Sequence, residues 1–134
     1  YLRNNIRNWT IIRPSLIFGD AKGKKEFCIE LKKNMLSDDP IYQWRRKYVR
    51  ENKSGVCPTL TANMGTGGHN VPLIKTESGI RKLTPRECFN LQGFPKKFIL
   101  PNDIANNQLY KQAGNSVTVP LIKKLARDIK KAIS

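Results

Sequence analysis

The chain has 134 residues, of which 25 are Lys or Arg and 10 are Asp or Glu, giving a formal net charge of +15. That excess favours a polyanionic partner, nucleic acid first, while 39% apolar and 8% aromatic residues are too many for a disordered tail. No apolar run approaches the roughly eighteen residues of a membrane span, and three cysteines without Cys-x-x-Cys spacing exclude a disulfide framework or a common zinc site and point to the reducing cytoplasm.

The basic residues run along the whole chain, eight in 1–40, six in 41–80, five in 81–100 and six in 101–134. A broad basic surface suits a duplex better than a single membrane anchor, which would need cations along one face of a long amphipathic helix. Only the last helix comes near that pattern, and its apolar side reads as core.

In chain order, residues 9–18 are rich in β-branched and aromatic types and read as an extended segment broken at Pro14. Phe27, Leu31 and Met35 recur every four residues and predict a short helix over 26–36, ended by Ser37-Asp38-Asp39-Pro40. Residues 41–50, Ile-Tyr-Gln-Trp-Arg-Arg-Lys-Tyr-Val-Arg, mix aromatics with cations, as an exposed strand, a short helix or a nucleic-acid contact loop would. Asn63 to Asn70 carries three glycines and two asparagines and predicts a loop, because glycine loses too much entropy in a regular element. Thr59-Leu60-Thr61 and Val71-Pro72-Leu73-Ile74 flank it as strand-like segments. Its glycines lack the spacing of a phosphate-binding loop, and the lone His69 fits a surface role better than a ligand role.

Thr84-Pro85-Arg86-Glu87 is the clearest local signal: a capping Thr, Pro at the first helical position and Glu at the third form a capping box. A two-turn helix over 85–92 should follow, with Gly93 as its stop and Phe94-Pro95 leaving extended. Tyr110 to Ser116 reads as a lead-in to a terminal helix from about 116, with Asn115 or Ser116 as N-cap and Pro120 in the first turn. Val119, Ile122, Leu125, Ala126, Ile129 and Ile133 recur at helical spacing and predict a buried face, with Lys123, Lys124, Arg127, Lys130 and Lys131 away from it.

Three stretches, in this order and at this spacing, resemble the C-terminal half of the bacterial DNA (cytosine-5) methyltransferases. Arg81-Lys82-Leu83-Thr84-Pro85-Arg86-Glu87-Cys88, continuing through Leu91-Gln92-Gly93-Phe94-Pro95, resembles the family's ninth motif. Tyr110-Lys111-Gln112-Ala113-Gly114-Asn115-Ser116-Val117 resembles the tenth, and Cys57-Pro58-Thr59-Leu60-Thr61-Ala62 resembles the Thr-Leu segment of the target-recognition region. The resemblance covers about 40–134, and residues 1–39 match no named motif.

The resemblance implies a DNA-reading half of the enzyme. Thr59 and Thr61 would meet phosphate. Asn63 to Asn70, with Asn63, Thr66, His69 and Asn70, would be one recognition loop, and Gln43 to Arg50 the other. Arg45, Arg46 and Arg50 suit guanine edges, and Gln43 or Asn63 suits adenine. Thr84, Pro85, Arg86, Glu87 and Gly93 would organise the domain. Asn115, Ser116 and Val117 would wall part of an S-adenosylmethionine pocket, with no metal required, and the last helix would pack on the catalytic domain.

The family's chemistry also needs a Pro-Cys loop that adds its thiolate to a flipped cytosine, a nearby Glu, a Gln-x-Arg-x-Arg segment and a Phe-x-Gly-x-Gly cofactor loop. None occurs in this sequence. Cys57-Pro58 has the reversed order and reads as structural, so no catalytic residue is assigned.

The expected architecture is α+β: a small twisted β-sheet recognition domain over 1–108 with short helices, and a C-terminal amphipathic segment over 109–134 that belongs to the catalytic domain. The expected partners are double-stranded DNA, an N-terminal catalytic domain or subunit and, through an uncovered terminal helix, a second copy; no membrane is expected. Starting at Tyr1 rather than Met suggests a piece of a longer enzyme. The alternatives are the smaller subunit of a split methyltransferase, or a DNA-binding module without an enzyme, in which the tail helix packs on its own domain.

Overall fold

The computed structural model describes residues 29–45, 48–52, 55–66, 71–77 and 79–133. The extended segment expected over 9–18, and Phe27, lie outside them. The architecture is α+β, as expected, and the chain divides into two compact units, one running to Pro58 and resuming at Val71–Leu83, the other made of Thr59–Asn70 and Thr84–Ser134.

The first unit is a four-stranded antiparallel sheet with one helix. Strands β1 (Tyr42–Arg45), β2 (Tyr48–Glu51), β3 (Leu73–Thr76) and β4 (Gly79–Lys82) lie in the order β2-β1-β3-β4. Helix α1, described over 29–34, delivers Leu31 and Met35 to a core with Tyr42, Trp44 and Leu73. The four-residue spacing in the sequence therefore marks a real buried stripe. The Tyr42 hydroxyl donates to the Ser37 carbonyl at 3.0 Å, and Lys75 Nζ donates to the Leu36 carbonyl at 3.0 Å, so the exit of α1 is tied to two strands. The β3–β4 hairpin turns with Gly79 at φ +132, a region that favours glycine, and Leu83 N–H extends the pairing to Pro72 O at 2.9 Å.

In the second unit, α2 (Pro85–Leu91), α3 (Asn106–Asn115) and α4 (Val119–Ile133) join a short 3-10 turn over Ala62–Gly65, against which α3 packs. The capping box is present in full: Glu87 N–H donates to Thr84 Oγ1 at 3.2 Å, and Thr84 N–H donates to Glu87 Oε2 at 2.7 Å. At the other end, Gly93 has φ +82, its N–H donates to Asn90 O, and Phe94 N–H donates to Phe89 O. That pair of bonds is a Schellman end, which is why a glycine stands there. Phe89, Phe94 and Phe98 cluster beyond it with ring centroids 4.9–5.6 Å apart. Thr84→Ala removes one half of the box and should cost about 1 kcal/mol of unfolding free energy, read by urea denaturation.

Several expectations need correction. Residues 110–115 are not a lead-in but the second half of α3, with Ser116 as its C-cap, and the last helix starts at Val119 after Thr118 rather than near 116, so neither Asn115 nor Ser116 caps it. Thr118 O accepts from Leu121 and Ile122 N–H, placing Thr118 at the N-cap position and Pro120 in the first turn as expected. Thr59-Leu60-Thr61 forms no strand, and the strand expected over 71–74 starts at Leu73. The stretch 41–50 is not a loop, because its described residues form the β1–β2 pair. The apolar face of α4 is not core: no residue of the helix is buried, and Leu125 and Ile133 are 47% and 81% exposed.

Candidate nucleic-acid interface

Strand pairing sorts the residues of 42–51. In the register Gln43 faces Arg50 and Arg45 faces Tyr48, while Tyr42 faces Glu51 and Trp44 faces Val49. Directly opposed residues share a face, and alternate residues along a strand return to it. Gln43, Arg45, Tyr48 and Arg50 therefore stand together on one face of the pair. Tyr42, Trp44 and Val49 hold the other face against the core. Arg45, Tyr48 and Arg50 are exposed and Gln43 is half-buried. Two guanidiniums, a carboxamide and a phenol on a rigid two-stranded ribbon can offer bidentate donors to base edges or phosphates.

The structure thus brings together three of the residues singled out from the sequence and adds Tyr48, 56% exposed, which the sequence pattern alone did not single out. Its signal is the pairing: Gln43, Arg45 and Tyr48 become one set once the segment is a pair of strands rather than a loop. Arg46, His69 and Asn70 lie outside the described residues.

In the second unit, Thr59, Thr61, Asn63 and Thr66 are exposed, while the intervening Leu60 and Met64 are buried. The buried pair anchors the segment and leaves the polar side chains towards the surface. Met64 N–H donates to Thr61 O at 3.0 Å, and Thr66 Oγ1 donates to Asn63 O at 3.2 Å, which closes the turn. Gly114 of α3 lies directly on this backbone: a Cβ placed there would sit 2.1 Å from Thr61 C and 2.5 Å from Ala62 N. The two stretches that the resemblance gives to different partners, Thr59–Asn63 and Asn115–Val117, are therefore neighbours in one unit.

Around that contact Ser116 is half-buried, and its hydroxyl donates to Ala113 O at 2.7 Å. Asn115 and Val117 are exposed. An exposed carboxamide beside an exposed aliphatic side chain offers a donor, an acceptor and an apolar surface to a small ligand, while the Ser116 hydroxyl is already engaged. Thr84 and Glu87 are committed to the capping box, Pro85 is buried, and Arg86 is half-buried in the first turn of α2.

The two cysteines among the described residues, Cys57 and Cys88, are poor nucleophiles. Burial pushes the Cys57 thiol up to about 11, the opposite of the depressed value that activates a catalytic cysteine, and Cys88 is fully buried in α2. Because the folded state holds the Cys57 proton more tightly than the unfolded chain does, its contribution is complete below about pH 9 and is lost as pH rises towards 11. We expect slow alkylation of Cys57 by iodoacetamide at pH 7.5, with the rate climbing about tenfold per pH unit and levelling off only towards pH 11, followed by mass spectrometry.

Among the described residues no group of three or more His, Cys, Asp or Glu could hold a metal ion, and no helix is long and apolar enough to cross a membrane. Burial lowers the affinity of the Lys82 ammonium for its proton.

The family model for C-5 cytosine-specific DNA methylase matches residues 5–131. The Type II methyltransferase M.Bsp6I of Bacillus sp. (strain RFL6) is 68% identical over 113 residues, 84% of this chain and 36% of the relative. The Type II methyltransferase M.SsoII of Shigella sonnei is 44% identical over 71 residues, 53% of this chain and 18% of its own length, and M.MspI of Moraxella sp. is 47% identical over 57 residues, 42% and 13%. No solved structure matches the chain. It spans 36% or less of the length of these relatives. With a family model covering nearly all of it, the chain belongs to the C-5 cytosine-specific DNA methylase family.

Proposed function

We propose that this chain is the DNA-reading, C-terminal part of a Type II DNA cytosine-5 methyltransferase that works with a catalytic part carrying the Pro-Cys loop. The observation that carries the proposal is the β1–β2 ribbon, with Gln43, Arg45, Tyr48 and Arg50 on one face and core aromatics on the other. A ribbon held flat by its own core presents its cations with little loss of freedom on binding, which suits recognition of a duplex groove. Thr59, Thr61, Asn63 and Thr66, with Arg46, His69 and Asn70, would complete the DNA contacts by meeting phosphates and further bases.

The cofactor of such an enzyme, S-adenosylmethionine, supplies the methyl group when bound. Asn115 and Val117 fit a place beside it: the carboxamide can accept and donate to polar groups, and the valine can cover an apolar one. Ser116 would act from within, by shaping the turn through its bond to Ala113. Nothing in this chain supplies the attacking thiolate. The chain by itself therefore binds duplex DNA without transferring methyl groups, and α4 docks on the catalytic part. An enzyme with these roles works in the cytoplasm, with DNA. A single polypeptide and a split enzyme both satisfy this reading.

A binding module with no enzyme is the other reading, and it needs α4 to pack on its own chain. The exposure of Leu121, Ile122, Leu125 and Ile129 argues against it.

The test is duplex binding by fluorescence anisotropy across salt, followed by methyl transfer after mixing with the catalytic part of a relative. Affinity should fall about tenfold or more between 50 and 200 mM salt if about three phosphates are neutralised. Arg45→Ala and Arg50→Ala should each cost about tenfold or more in affinity for the cognate site. Binding indifferent to salt and to both substitutions would remove the ribbon from the interface. Methyl transfer by the chain without a partner would overturn the division of labour.

A further inference from the structure

We propose that Gln92 is the positioning residue of the α3–α4 turn, holding Asn115 and Val117 where they can meet a small ligand; its consequence for cofactor binding rests on the function proposed above. One residue grips both ends of this turn. Gln92 Nε2 donates to the carbonyl of Ala113 at 3.3 Å, Gln92 Oε1 accepts from Thr118 Oγ1 at 2.9 Å, and Gln92 O accepts from Val119 N–H at 2.8 Å. Between these anchors lie Gly114, Asn115, Ser116 and Val117. Ser116 fastens the turn from inside, with its N–H and its hydroxyl both on the same Ala113 carbonyl.

The chemistry asks for a carboxamide at this position. The Ala113 carbonyl can only accept, so the –NH2 of Gln92 must face it, and that leaves Oε1 for the Thr118 hydroxyl. A glutamate would keep the bond to Thr118 but could not donate to Ala113. A methionine would fill the same space and make neither bond.

The anchor is also fixed at its own base. Gln92 is the C-cap of α2, its N–H bonds Cys88 O at 3.1 Å, and the Schellman end follows at once. There, a Cβ on Gly93 would come within 2.6 Å of Pro120 Cδ, so the absence of a side chain lets the first turn of α4 settle on the end of α2. The capped helix, whose local structure is complete without any ligand, thereby becomes the post to which the turn is tied.

The experiment compares the wild-type chain with Gln92→Met, Gln92→Glu and Thr118→Val. The first readout is amide hydrogen exchange of the chain itself. Loss of two hydrogen bonds should raise exchange at Ser116 and Val119 about tenfold in Gln92→Met, with Gln92→Glu and Thr118→Val intermediate, while amides of α2 and the Leu109 amide keep their protection. The second readout is affinity for S-adenosylhomocysteine, by calorimetry, after assembly with a catalytic part: about tenfold weaker in Gln92→Met, with DNA affinity unchanged.

Exchange that rises equally through α2 and α3 would make Gln92 a general structural residue and overturn the proposal, as would unchanged exchange at Ser116 and Val119. Local loosening with unchanged S-adenosylhomocysteine affinity would overturn its link to the cofactor. If the wild-type assembly binds no S-adenosylhomocysteine, the cofactor role of Asn115–Val117 fails, and the exchange pattern alone decides whether Gln92 holds the turn.

Discussion

Gly114→Ala should lower the unfolding free energy of the chain by about 3 kcal/mol, towards the upper end for a forced overpacking. A helical Gly→Ala change ordinarily stabilises by about 1 kcal/mol, so the sign of the result is itself informative. The reason for the reversal is distance. The new Cβ would lie 2.1 Å from the carbonyl carbon of Thr61 and 2.2 Å from its oxygen, where carbon atoms meet comfortably only at about 3.5–4.0 Å. The obstacle is backbone rather than the far end of a flexible side chain, so α3 or the 61–65 segment must move as a whole. Thermal denaturation by circular dichroism should show the midpoint down by more than about 10 °C. A midpoint that holds or rises would mean that α3 does not lie on Thr61–Ala62. The same displacement should weaken duplex binding if Thr59 and Thr61 meet phosphate, because the segment that carries them loses its backing.

The double substitution Leu125→Glu with Ile129→Glu should have the reverse profile. Both side chains are exposed, at 47% and 60%, so the chain's own stability should change by no more than about 0.5 kcal/mol. Association with the catalytic part should be lost, because two charges would enter an apolar contact and each buried, unpaired charge costs several kcal/mol. Recovery of methyl transfer on mixing, read as protection of DNA from cleavage, should disappear. A drop of many degrees in the melting midpoint of the chain would instead show that α4 packs on its own chain, as the stand-alone binding module requires. Sedimentation decides the third outcome: a homodimer abolished by the double substitution would make this face a self-contact. Until it is covered, a helix of 15 residues with no buried side chain is held only through its first turn on α2, which leaves the rest marginal in water.

Some parts of the molecule are legible in the residues alone. The capping box and the glycine stop of α2 can be read down to the residue, since every bond that defines them closes within ten positions of Thr84. The net charge and the order of the three family stretches are equally local or additive properties, and they lead to the family. Helix α1 is visible through Leu31 and Met35, because a core stripe repeats with the helical period wherever the core lies.

What the sequence hides is what depends on partners far along the chain. The alternation in 42–51 becomes a face only when Gln43 is set against Arg50, and without that pairing Tyr48 looks like one more loop residue. Thr59-Leu60-Thr61 has strand-forming residues but no neighbouring strand, and β-propensity without a ladder decides nothing. Helix α3 opens with Asn-Asn-Gln and buries only Leu109 and Ala113, too weak a stripe to read, and it packs on a turn some fifty positions upstream. The apolar stripe of α4 is a true pattern but not core, since periodicity reports that a face needs covering and not what covers it.

The sequence by itself therefore determined the charge, the capped helix, the α+β class and the family, each from short-range or summed properties of the residues. Only the tertiary structure decided which side chains share a surface, that Gly114 is a contact rather than a hinge, and that Gln92 ties the end of α2 to the α3–α4 turn. Those last two facts live in distances between residues 21 to 53 positions apart, where no local rule of propensity or spacing reaches.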